Sequence, residues 1–119
     1  MSAMTLTLWL QSFMNNFPNL LHNSSSIKEI LHVAPQQYYK NETSIKFGLI
    51  WYWNYLNGRY LVGHGGSVPG MSHIIVANEQ RNLGVVILTN ADQTLNDEAS
   101  GQVTNSILEL LSQLLDCFD

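Results

Sequence analysis

Four consecutive residues, His64-Gly65-Gly66-Ser67, combine one imidazole, two positions without side chains and one hydroxyl. Glycine costs a strand about 0.5–1 kcal/mol relative to alanine. A run of glycines therefore marks a backbone that something approaches closely, or that must turn with positive φ. An apolar run, Tyr60-Leu61-Val62-Gly63, leads into this stretch, and Pro69-Gly70 follows as a turn. Such a strand edge offers exposed amides beside a titratable ring, an arrangement suited to lining a pocket. The alternative is a glycine-rich hairpin carrying a surface histidine. His22, His32, His64 and His73 lack metal-ligand spacing, and the single cysteine, Cys117, is far from them. No metal and no cofactor is expected.

The elements that would hold this stretch follow from periodicity. Leu6, Leu10, Phe13 and Phe17 form one stripe of a helix over 3–16, stopped by Asn15-Asn16 and Pro18. Ser26-x-x-Glu29 has capping-box spacing and opens a short helix over 27–33, ended before Pro35. Residues 36–44 read as loop. A long strand is expected over 46–56, and Asn57-Gly58 is a strong hairpin signal. The return strand covers 59–64, the glycine-rich corner follows, and further strands cover 73–77 and 83–89. Asn96 is placed as the cap of a last helix, with Asp97 and Glu98 in its first turn. Val103, Ile107, Leu110, Leu111 and Leu114 make its apolar face. The fold class expected is α/β of the α+β type: about four antiparallel strands flanked by N- and C-terminal helices.

Antiparallel sheets with one wet face alternate apolar and polar residues. Leu49-Ile50-Trp51-Tyr52-Trp53, Ile74-Ile75-Val76 and Val85-Val86-Ile87-Leu88 are instead apolar on both faces. The last helix can cover one face. The other is expected to need further polypeptide or a second copy in a homodimer, since large apolar patches mark interfaces.

Taken together, Phe47-Gly48-Leu49-Ile50-Trp51, Gly63-His64-Gly65-Gly66-Ser67-Val68-Pro69-Gly70 and Gly84-Val85-Val86-Ile87-Leu88-Thr89-Asn90 resemble the end of the serine β-lactamase-like superfamily. It includes class C β-lactamases, DD-peptidases and related esterases. Ser2-Ala3-Met4-Thr5-Leu6-Thr7-Leu8-Trp9-Leu10 is similar to the helix that precedes these strands, with Thr5 where the pattern has aspartate. The resemblance implies a single partial domain over 1–119, the C-terminal portion of a larger one, with N-terminal chain covering the sheet. It implies acyl-serine hydrolysis of an amide, lactam or ester, and hence a small acyl substrate. His64-Gly65-Gly66 occupies the third motif, the strand that walls the active site. The Ser67 amide would be an oxyanion donor, Gly65 and Gly66 would leave room for an acyl group, and His64 stands where many members have lysine. An imidazole there is suited to hydrogen-bonding substrate or moving a proton near neutral pH.

The first two motifs of that superfamily have matches in this chain, Ser25-x-x-Lys28 and Tyr39-x-Asn41, Tyr52-x-Asn54 or Tyr55-x-Asn57. They are read as decoys. Ser25 lies in a serine-rich loop, Tyr52 and Asn54 merely share a strand face, and Asn57 belongs to a turn. The nucleophile is thus expected to be missing, leaving a fragment without activity of its own. The alternative is a non-catalytic interaction module using an exposed sheet face.

The composition excludes some classes. Net charge is −4 and charged residues make up 12 %, about half the usual share, so nothing points to nucleic acid. No apolar run approaches the roughly 20 residues of a membrane span, and no signal peptide is evident. Cys117 cannot pair internally, which leaves the compartment open. Glycosylation sequons at Asn23 and Asn41 are no more than chance in a chain this rich in asparagine, serine and threonine.

Overall fold

A computed structural model describes residues 1–23, 25–32 and 46–118. Five strands form one antiparallel sheet in sequential order: β1 (Lys46–Phe47), β2 (Tyr52–Leu56), β3 (Arg59–Val68), β4 (Met71–Asn78) and β5 (Gly84–Thr89). Helices α1 (Ala3–Met14) and α2 (Ser26–Leu31) precede the sheet, and α3 (Glu98–Phe118) follows it. The class is α+β, with flanking helices at both ends of the chain. The loop over 36–44, Pro35, the Tyr39-x-Asn41 match and the Asn41 sequon lie outside the described residues.

The extra strand arises where one long strand was expected over 46–56. The chain reverses at Gly48–Trp51, where the Gly48 N–H donates to the Trp51 carbonyl at 2.7 Å. β1 then folds back on β2, pairing Lys46 with Trp53 and Phe47 with Tyr52. Leu49 and Ile50 are exposed in that turn, so part of the two-sided apolar run is loop. The next two hairpins each close in two residues. Asn57 and Gly58 both have positive φ (48° and 82°), which sets Leu56 opposite Arg59. Pro69-Gly70, with Gly70 at φ 82°, sets Val68 opposite Met71. β3 therefore runs straight through the glycines, with no corner.

Helix caps correct two other expectations. Asp97, not Asn96, caps α3, its carboxylate accepting the Ser100 N–H at 2.8 Å. α2 starts after Ser25, so Ser26 is already helical and the capping box does not form. On α3, Leu111 and Leu115 are buried, with Ile107 and Leu114 packed beside them, whereas Leu110 points to solvent.

The sheet carries a helix of its own chain on each face. Cross-strand partners share a face in an antiparallel sheet. Val62 and Ala77 thus sit together in one cluster with Leu10, Phe13 and Phe17, the stripe expected of the first helix, and with Trp51 and α2 residue Ile27. Leu61, Val76, Val85 and Ile87 form a second cluster with Leu111 and Leu115 of α3. On the face that the last helix leaves open, α1 and α2 cover much of the sheet. Trp51 stacks on Phe13 with ring centroids 4.1 Å apart, and Trp53 Nε1 donates to the Leu31 carbonyl at 3.1 Å. Among the described residues no helix is long and apolar enough to cross a membrane.

Candidate functional site

β2 ends one residue short of the site. Its last pair is Tyr52 with Gly63, so 64–68 of β3 pair with β4 alone. Hydrogen-bonded and non-bonded pairs alternate in an antiparallel ladder. The turn bonds at Leu56–Arg59 and Val68–Met71 fix that alternation. Leu61 and Gly63 therefore bond to β2, and Gly65 and Ser67 direct their amides the same way, where no described strand receives them.

His64 is exposed on this stretch, its ring 5.6 Å from that of Tyr52. Burial pushes the Tyr52 phenol above its ordinary pKa. Two contacts account for the glycines. A Cβ at Gly65 would lie 3.2 Å from the Tyr52 hydroxyl, and one at Gly66 only 2.5 Å from His73 Nε2. The space expected for an acyl group at Gly66 is, on the α1 face, taken by the His73 ring.

The Ser67 hydroxyl is committed. It pairs with Ser72 Oγ at 3.0 Å, and Ser72, fully buried, donates to the Ala91 carbonyl at 3.1 Å. Ser67 therefore donates to Ser72, and only its backbone faces the open edge. Beyond the turn, Asp92 Oδ2 accepts the Gly70 N–H at 2.9 Å, while Oδ1 accepts Thr94 Oγ1 at 2.6 Å and Thr94 N–H at 2.7 Å. The Thr94 hydroxyl, then the Thr94 and Gly70 amides, hold the carboxyl below its ordinary value of 3.8. A lowered folded pKa adds stability that is present above the ordinary value and lost as pH falls through the folded one. In urea titrations between pH 6 and 2, the native midpoint should drop more steeply below about pH 4 than that of Asp92→Asn. Parallel curves would mean that the carboxylate holds nothing.

Two openings flank the edge. One, about 550 Å³, lies on the α1 face; the other, about 500 Å³, lies towards α3 and is lined by Tyr52, Asn54, Gly65, Ser67, Gln93 and Thr104. His64 and His73 line both. Of the superfamily-like matches, Tyr52 and Asn54 are brought to the edge. Tyr55 instead packs on Tyr60, and Asn57 bonds Ser112. Ser25 donates to Asn23 Oδ1 at 2.9 Å, and neither it nor Lys28 lines either opening. Sequence reasoning set Tyr52 aside as a decoy and missed His73, and the structure brings both to the edge beside His64. The Pro69-Gly70 turn carried the signal for His73, because a two-residue loop puts Gly66 opposite it. Among the described residues, no three of His, Cys, Asp and Glu gather as metal ligands.

Comparison of the chain with protein-family models, with curated proteins and with solved structures finds no match.

Proposed function

We propose that this chain is the active-site wall of a β-lactamase-related acyl-serine hydrolase, contributing the C-terminal portion of that domain. Its Ser67 amide serves as an oxyanion donor, and His64 hydrogen-bonds the acyl substrate or relays a proton. One observation carries the reading: β3 outruns β2, leaving the Gly65 and Ser67 amides on an open edge beside His64 and Tyr52. A donor at such a position contributes about 10²–10³ in rate when the nucleophile is present. Covalent catalysis needs a serine with an adjacent base. Among the described residues, no serine hydroxyl bonds to lysine or histidine; Ser25, Ser67, Ser72, Ser100 and Ser112 have other partners. On the resemblance, the nucleophile would come from the N-terminal portion of that domain.

The test is a fluorophosphonate label and a chromogenic ester burst on the purified chain beside Ser25→Ala. Neither protein should label or show a burst. Labelling abolished by Ser25→Ala would make Ser25 the nucleophile and overturn the reading.

A further inference from the structure

We infer that the opening on the α1 face binds a medium-chain aliphatic carboxylate, with the chain on the sheet and the carboxylate at the two histidines. This goes beyond the hydrolase reading and does not depend on it, because binding needs no nucleophile. The cavity, about 550 Å³, falls in the range of small-molecule sites. Its lining combines apolar walls, among them Leu6, Met71 and Leu88, with the two imidazoles and the polar residues Ser72, Thr89 and Asn90.

The register explains why the space exists. His64 faces Ile75, and His73 faces both Gly66 and Leu88, so all these side chains project to the α1 side. α1 packs on Ile75 but leaves Leu88 and Met71 largely open. Its packing is concentrated at the other end of the strands, where Leu10 and Met14 press on Gly84. Leu6, in its second turn, forms only a wall of the opening. Leu88 and Met71 on the lining are consequently 40 % and 50 % exposed, apolar surface that an aliphatic chain would remove from water.

The polar end is equally specific. Neither imidazole hydrogen-bonds to a described residue, and both rings line the opening. The two sit diagonally across β3 and β4, residues about 7–8 Å apart with their Cβ atoms somewhat closer. Two acceptor oxygens on one carbon can address both. A purely apolar ligand would use the walls and leave both rings unused.

Calorimetric titration of the full chain with sodium decanoate, below its micellar concentration, tests the assignment, with acetate as the head-only control. Decanoate should bind saturably, one per chain, and acetate should not. Leu88→Gln and Met71→Gln change side chains that are already exposed, and each should weaken decanoate about tenfold. His64→Ala should weaken it several-fold, while Leu110→Gln, on the exposed side of α3, should leave it unchanged. Absence of saturable binding overturns the inference, as does equal binding by all variants. So does a dimer, seen by sedimentation, that Leu88→Gln dissociates and decanoate does not displace. The fluorophosphonate result is independent of every one of these outcomes.

Discussion

Replacing Gly63 with alanine is expected to be the most damaging single-methyl change in the chain, costing about 3 kcal/mol. The added Cβ would lie 2.2 Å from the Ile75 carbonyl oxygen, 2.6 Å from Val76 Cγ1 and 2.9 Å from Val76 Cα. Two of these atoms are backbone, so no rotamer change relieves the clash; β3 must move away from β4. Those strands form the wall that carries His64 and the open edge. Gly101→Ala provides the opposite sign. That residue is exposed on α3 with nothing within 4 Å of its Cβ position, and alanine there should stabilise by about 1 kcal/mol. Urea midpoints at a common m-value measure both. Equal shifts would show that β3 and β4 do not approach as closely as described.

The glycines also show how far the sequence could be read. Asn57-Gly58 and Pro69-Gly70 were legible because their turns require positive φ at particular positions. The apolar stripe of α1 was legible from spacing, but spacing does not say which surface a stripe meets. α1 was therefore not assigned to the second sheet face. The reversal at Gly48–Trp51 was hidden for a related reason: Leu49 and Ile50 look like core residues and lie exposed in a turn. Caps were ambiguous by one residue wherever two cap-competent side chains adjoin, as at Asn96-Asp97 and Ser25-Ser26. The glycine-rich stretch of β3 itself was visible in residue types. Its open edge depends on β2 stopping at Tyr52, and no local pattern encodes where a ladder ends.

Phe13→Ala and Leu111→Ala should destabilise independently, because they belong to clusters on opposite faces with no buried member in common. Phe13 is fully buried, stacked on Trp51 and 5.6 Å from the ring of Phe17, with the Arg81 guanidinium 5.8 Å from its centroid. Its loss should cost about 3–5 kcal/mol, and that of Leu111 about 2–5 kcal/mol. The double variant then forfeits about 5–10 kcal/mol, comparable with the whole stability of a domain, about 5–15 kcal/mol. Circular dichroism at 25 °C should find each single variant folded with a lowered urea midpoint and the double variant largely unfolded. A double variant no worse than either single one would mean that only one face supports the sheet. A negligible cost for Phe13→Ala alone would be sharper still. It would mean that α1 does not hold its face, and that the sheet needs outside polypeptide there after all. A full cost for both leaves the sheet held from each side by its own helices, with the β3 edge as the part that remains open.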